Sequence, residues 1–524
     1  MSGAGQSIAE YIARPFGNFS ELFKLQAAAR PDHVAIICCD RAITYAALDA
    51  LADQVAAGLQ RDCVKTEDVV AICANSSIEY AAIFIGTLRA GATISPLAPS
   101  ATPDQLVGMI KDSGATHFFT DRDVAEELAL VGLRITAKYV VIVGDSGSVS
   151  FEEWLPSSGD YTPVEVMPEW PFNIIYSSGT TGTPKGIVQT NKMRWPHNGL
   201  SDPPGYGPDA VALISTGLYS NTTLVSFIPA LAGGGTIVLM PKFDARSFLE
   251  LSEQHRVTHA MLVPIQYRRM LDVPDFDRFD LSSYVMKFAT SAPFPAELKA
   301  AVLKRWPGGL IEYYGMTEGG GSCMLAAHEF PDKLATVGRP MHGHDIRVIS
   351  EEGDLLPAGE VGEVVGKSGS MMKGYHNKPD STAEAEWYSP EGERFIRTGD
   401  LAVVDEDGFF TLIGRKKDMI VSGGFNVYPI DLEQALIEHV EVREAAVIAV
   451  KSDQWGETPV GFVTLHAGAQ ATEREMRDFA NARLGKTQRI SEVRVIDELP
   501  RSAIGKILKR ELQDRIEVEN ETVS

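Results

Sequence analysis

The stretch YSSGTTGTPKGIV, residues 176–188, gathers three glycines, a cluster of Ser/Thr hydroxyls and one lysine between two apolar runs. The flanking runs FNIIY and GIVQT read as strands, so the stretch joins two strands and does not open a helix. A P-loop is thereby excluded. Its nearest tail, Gly366-Lys367-Ser368, would need glycine at position 361, where Val361 stands. Gly179, Gly182 and Gly186 permit positive φ and close backbone approach, so successive N–H groups can curl around phosphate oxygens. Ser177, Ser178, Thr180 and Thr181 add hydroxyl donors, and Lys185 adds one full positive charge. On composition alone, a flexible polar hairpin loop is the alternative.

The rest of the chain must carry this loop. Its 524 residues allow three or four structural units, with 44% hydrophobic and 23% charged residues, as in an ordinary soluble enzyme. No apolar run reaches the length of a membrane span, and MSGAGQSIAEYIARPFG lacks the basic-then-apolar pattern of an export signal. The expectation is therefore a cytoplasmic protein with no integral membrane segment. A net charge of −22 repels nucleic acid, so a phosphate ligand must be held by local donors. Five cysteines without metal-ligand spacing fit a reduced compartment.

From Thr44, a plausible N-cap, TYAALDALADQVAAGL places Leu48, Leu51, Ala52, Val55 and Leu59 on one helical stripe. VVAICA, IEYAAIFIGTLRAGA and TISPL then alternate strand, helix and strand, and similar alternation surrounds TIVLM and HAMLVP, which points to a mostly parallel sheet. Between about Val337 and Gly414 the texture becomes short β pieces separated by Gly and Pro, as in a small antiparallel barrel or sheet. After GRKKD follows a compact α+β tail ending in EVENETVS, which looks frayed.

As a whole string, [Tyr/Phe]-[Thr/Ser]-Ser-Gly-[Ser/Thr]-Thr-Gly-x-Pro-Lys-Gly is the signature loop of the adenylate-forming superfamily of acyl- and aryl-CoA ligases, peptide-synthetase adenylation domains and luciferases. Tyr176 to Gly186 resembles it at every position. ITYAALDALADQVAAGL, RAGATISPLAPSATPDQL, YYGMTEGG (313–320), RTGDL (397–401), GRKKDMIVSGGFNVYP (414–429) and PRSAIGK (500–506) are similar to its other motifs, in order. The resemblance implies an α/β fold: a large multi-subdomain N-terminal domain, residues 1–416, of two α/β sheets plus a small β-barrel. A smaller mobile α+β C-terminal domain, residues 417–524, would follow, hinged at Lys417.

It also implies an AMP-forming acid–thiol ligase that uses ATP, Mg²⁺ and coenzyme A. A carboxylate attacks the α-phosphorus and releases pyrophosphate, then a thiol attacks the acyl-adenylate and AMP leaves. The substrate supplies the nucleophile, so catalysis rests on positioning and charge stabilisation. By resemblance Tyr314 stacks on adenine, with Gly315 and Met316 in the same turn, and Ser291 and Ala292 line the slot. Asp400 and Arg415 bond the ribose. Glu318 is the Mg²⁺ ligand and Thr317 a donor to the α-phosphate. Lys185 with the hydroxyl loop holds the β and γ phosphates, and Lys506 bridges carboxylate and α-phosphate. Gly423 and Gly424 in SGGFN would let the pantetheine arm approach.

The acid pocket, by resemblance, draws on Tyr219, Thr222, Thr223 and Ser291 from one side. Gly315, Gly319, Gly320, Gly321, Met324 and Val337 supply the other. This small, largely uncharged lining suits a planar aromatic acid, such as a hydroxycinnamate or benzoate, or a medium or long aliphatic chain. Many acyl- and aryl-CoA ligases carry His after a Pro-x-Phe-like stretch near this point, whereas STGLYSNTTL here has Tyr219. Asp244 in KFDARS reads as a helix N-cap rather than a ligand for a substrate amino group, and His342 and His344 make no zinc site by themselves. Two other functions stay open: a standalone adenylation enzyme loading a carrier protein, and a catalytically silent nucleotide-binding homologue. Homodimerisation is also left open.

Overall fold

A computed structural model of the chain describes residues 7–130, 135–137, 139–142, 150–177, 184–198, 205–452, 454–485, 488–502 and 505–523. The fold is α/β, with a large N-terminal part of several sheets and a smaller C-terminal part. By contacts the chain divides into two compact units. One holds residues 1–335, 340–345 and 366–396, and the other holds 336–339, 346–365 and 397–524. No helix among the described residues is long and apolar enough to cross a membrane.

In the first unit, one seven-stranded sheet runs in the order Gly374–Tyr375, Lys185–Thr190, Pro171–Ser177, Thr93–Pro96, Val69–Cys73, His117–Thr120, Tyr139–Ile142. Val69–Cys73 is buried throughout and parallel to both neighbours, because helices cover it on both faces. The helix Ile78–Arg89 that follows is buried along its whole length, which explains its unbroken apolar sequence. Thr44 caps the helix Tyr45–Arg61 through the Ala47 N–H, and Leu48, Ala52, Val55 and Leu59 are buried as the stripe requires, with Leu51 at its margin. Beside this sheet stands a second, in which Ser322–Ala326, Gly309–Gly315, Met286–Ala289, His259–Leu262, Val211–Ile214, Thr236–Leu239, Val34–Cys38 and Arg41–Thr44 are successive neighbours. Asp244 caps Ala245–Gln254 through the Ser247 N–H at 2.8 Å, as its position predicts.

The loop strands Pro171–Ser177 and Lys185–Thr190 pair antiparallel, with Ser177 opposite Lys185 and Tyr176 opposite Gly186. A Cβ at Gly186 would sit 2.9 Å from Ile174 Cγ2 and 3.1 Å from the Tyr176 ring, so this glycine serves packing at the loop mouth. Tyr176 is tied down through its hydroxyl to Asp112 at 2.7 Å.

Asp345–Ile349, Gly362–Lys367, Arg394–Val404 and Phe410–Arg415 are neighbours in a small sheet. The tail forms its own sheet, Phe425–Val427, Ile420–Ser422, Gly456–Leu465, Val442–Ser452, with Glu492–Val495 added parallel to Gly456–Leu465. Leu432 and Leu436 from one helix and Met476 and Ala480 from another fill a core on one face of it. The end of the chain differs from the expectation of fraying: Lys509–Val523 is a helix. Leu512 and Ile516 bury against Ala446, Ile448, Val460 and Phe462, and helical propagation carries the anchored turns into the polar end.

Candidate active site

In the first unit the strand Gly309–Gly315 alternates sides, so Tyr313 packs inward on Phe288 with centroids 6.0 Å apart while Tyr314 stays half exposed. Beyond Gly315 the chain turns sharply, with the Gly319 N–H donating to the Met316 carbonyl at 3.0 Å and Gly319 at φ +74°. The carbonyls of this turn are individually held. Thr317 O accepts from the Gln189 amide at 2.7 Å, Glu318 O from the Met372 N–H at 2.8 Å and Gly319 O from the Ser368 hydroxyl at 2.8 Å. The Glu318 carboxylate accepts the Tyr375 hydroxyl at 2.8 Å, and the Lys185 ammonium stands 5.1 Å from the centroid of that same ring. Thr317, Glu318 and Lys185 are thus gathered in one place. Ser177 lies opposite Lys185, while Ser178, Gly179, Thr180, Thr181 and Gly182 lie outside the described residues.

Two groups the sequence did not single out support this turn. Tyr375 is one. The other is Arg194, which is 1% exposed and holds Gln189, Asn173 (3.2 Å) and Asn221 (2.6 Å). It has no carboxylate partner among the described residues, and burial lowers its pKa to about 9. A single arginine or tyrosine carries no spacing signal, so neither was legible before folding.

The glycines here allow close backbone approach. A Cβ at Gly319 would fall 1.7 Å from Ser370 O, and one at Gly366 would fall 1.6 Å from Gly320 O. The segment after Gly366 therefore lies directly on the 315–321 turn. Gly366→Ala is expected to push that turn off its geometry, lowering adenylation by roughly tenfold to 10²-fold and lowering the thermal midpoint as well. Acid-dependent pyrophosphate release, followed beside a melting curve, checks this.

Among the residues expected to line the acid pocket, the Ser291 hydroxyl bonds that of Thr222, which holds Ser291 at a strained φ of +78°. Ala292 follows, half exposed. Thr223 is 1% exposed and bonded to Thr216 at 2.7 Å, so its hydroxyl is committed to the core. The Tyr219 ring packs on Gly217, and burial raises its phenol pKa. Gly320 and Gly321 are buried, Met324 rests on the main core, and Met316 packs on the cluster of Ile187, Met193, Met372 and Ile396. Val337 belongs to the second unit, where its N–H donates to Phe410 O at 2.8 Å. His344 accepts the Ser322 N–H on Nδ1 at 2.9 Å, a local structural use.

In the second unit Asp400 and Arg415 face each other across an antiparallel ladder, Nε to Oδ1 at 2.6 Å. The Thr398 hydroxyl accepts the Asp400 N–H at 3.0 Å, and Thr398 O accepts from Arg415 at 3.3 Å. Lys506 ends a turn closed by the Arg501–Ile507 bridge and by the Arg501–Glu444 ion pair at 2.5 Å, with Gly505 at φ +77°. Its side chain reaches solvent, yet the protein around it lowers its pKa. The first cause is burial, followed by Arg415 and Lys417, with Asp400 and Asp418 opposing. Lys506 therefore lies within electrostatic reach of Asp400, Arg415 and Lys417. Gly423 (φ +58°) and Gly424 (φ +81°) form the two-residue turn between Ile420–Ser422 and Phe425–Val427, which requires left-handed backbone at both positions.

These motifs and this two-part α/β fold are those of an adenylate-forming enzyme. The chain belongs to the AMP-binding enzyme family, whose description matches residues 23–376, with the AMP-binding enzyme C-terminal domain matching residues 431–506. It is 31% identical over 498 residues to 4-coumarate–CoA ligase 1 of Solanum tuberosum, covering 91% of this chain and 89% of that one. Among solved structures it resembles ATP-bound MatB from Rhodopseudomonas palustris, with a TM-score of 0.84 and 27% identity over 95% of this chain and 98% of that one. It also resembles the Mycobacterium tuberculosis fatty acyl CoA synthetase, with a TM-score of 0.73 and 27% identity over 95% and 98% of the two chains.

Proposed function

We propose that this protein is an ATP-dependent, AMP-forming carboxylic acid:CoA ligase that passes through an acyl-adenylate and prefers a planar aromatic acid of the hydroxycinnamate type. The observation that carries the reading is the Asp400–Arg415 ion pair, a carboxylate–guanidinium pair suited to a ribose and its 5′-phosphate, with Lys506 within electrostatic reach of it. In this reading Tyr314 carries adenine, while Asp400 and Arg415 hold the ribose. Thr317, Lys185 and the hydroxyl loop hold the phosphates, and Lys506 draws the acid carboxylate onto the α-phosphate. Lys417 is the hinge that lets Lys506 leave and the Gly423–Gly424 turn admit the thiol.

The residues present fit Mg²⁺. Glu318 presents one half-exposed carboxylate. That is the donor set of a hard cation carried mainly by nucleotide phosphates. Bound there, the ion would neutralise charge on the leaving pyrophosphate. The preference for an aromatic acid is supported by the 4-coumarate–CoA ligase relatives.

A panel of hydroxycinnamates, benzoates and fatty acids with ATP, Mg²⁺ and CoA tests the reading. The expected outcome is AMP and thioester formed most efficiently from a hydroxycinnamate. AMP formation with a carrier protein but not with CoA would move the enzyme to the carrier-loading class, and no acid-dependent pyrophosphate would mark it as silent.

A further inference from the structure

We propose that Tyr375 is a positioning residue that fixes the Glu318 carboxylate and the Lys185 ammonium against each other, so that a divalent cation and the β and γ phosphates are received together. This rests on the adenylating reading of the site. The phenol donates to Glu318 Oε1 at 2.8 Å, and the face of the same ring lies 5.1 Å from Lys185 Nζ. One side chain therefore touches both charged groups by different means, a hydrogen bond to the anion and a cation–π contact to the cation.

Backbone geometry makes this placement rigid. Gly374 and Tyr375 pair antiparallel with Val188 and Ile187 on the strand that begins at Lys185. The His376 N–H donates to Gly186 O at 2.7 Å and the Lys373 N–H to Val188 O at 3.0 Å. On its other side the same segment is fastened to the metal turn, through Met372 N–H to Glu318 O and Ser368 hydroxyl to Gly319 O, each at 2.8 Å. The Thr382 hydroxyl accepts the Tyr375 N–H at 2.9 Å. The segment is a strap bonded along both edges, with Tyr375 where the two edges meet.

Glu318 has two carboxylate oxygens. A hydrogen bond on one orients the other, as outer partners of metal-ligating groups do, and loss of such a partner typically weakens metal binding 10- to 100-fold.

Two variants separate the two contacts. Tyr375→Phe keeps the ring under Lys185 and removes the hydrogen bond, whereas Tyr375→Leu removes both. The probe is Mn²⁺ with α,β-methylene-ATP, read by electron paramagnetic resonance, with metal-free nucleotide affinity measured by calorimetry. Tyr375→Phe should weaken Mn²⁺ binding in the nucleotide complex roughly tenfold and leave metal-free nucleotide affinity unchanged. Tyr375→Leu should add a few-fold loss of metal-free affinity. Mn²⁺ held by Tyr375→Phe as tightly as by the wild type would overturn the proposal, and that variant carries the test if Tyr375→Leu does not fold. A wild type that binds Mn²⁺–nucleotide normally but activates no acid would count against the ligase reading and not against Tyr375.

Discussion

Lys506→Ala is expected to slow formation of the acyl-adenylate by roughly 10²-fold to 10³-fold while leaving thioester formation from presynthesised acyl-AMP near its wild-type rate. The lysine lies within electrostatic reach of Asp400, Arg415, Lys417 and Asp418, and in the proposed reading it has a task only while negative charge builds between carboxylate and α-phosphate. Single-turnover pyrophosphate release and CoA-dependent consumption of acyl-AMP, measured on the same preparation, separate the two half-reactions. Equal loss in both would sink the assignment. The lowered pKa has a direction of its own: the ammonium is complete below it and lost as pH rises through it. Adenylation should therefore decline on the alkaline side sooner than an ordinary surface lysine would allow, and Lys506→Arg should remove that decline in whatever activity remains.

The second large effect lies beneath the site. Lys299, 1% exposed, forms an ion pair with Glu312, 3% exposed, on the strand that carries Tyr314 outward. Lys299 also donates to Leu334 O at 2.8 Å. Burial pushes the Glu312 carboxyl up to about 7, and Lys299 acts to lower it. Lys299→Met would strand a buried carboxylate, at a cost of about 3–5 kcal/mol near pH 8. A carboxyl with a raised folded pKa keeps more protons folded than unfolded between its ordinary 4.5 and about 7, so its contribution is complete at low pH and is lost as pH rises through that window. Without Lys299 the window extends upward. The variant's deficit should therefore shrink on acidification to pH 5.5. Urea unfolding at both pH values checks this, and a deficit that is small or independent of pH would remove Lys299 as the compensating charge.

Local patterns carried much of this protein into view before folding. The caps at Thr44 and Asp244 stand where their positions place them, since a capping side chain needs only the N–H groups of the next turn. The loop after Tyr176 joins two strands because the apolar runs on both sides have strand length and character. The motif strings marked Thr317, Glu318, Asp400, Arg415 and Lys506 by resemblance, and the structure holds Thr317 and Glu318 in one turn and sets Lys506 within electrostatic reach of the Asp400–Arg415 pair. The polar end of the chain was the local reading that failed. Helix in Lys509–Val523 is secured by Leu512 and Ile516 packing on a distant strand, a contact that composition does not announce.

Tertiary structure alone decided the partners. Tyr375 is 57 residues from the carboxylate it holds, and Arg194 reaches Asn221 across 27 residues. Gly366 is glycine because Gly320 O lies where its Cβ would be, which no reading of either segment by itself could reveal. A turn or a cap is settled by atoms a few residues apart and is written in order along the chain. Which hydroxyl meets which carboxylate depends on how separate segments close over one another, and neighbouring residues do not encode that.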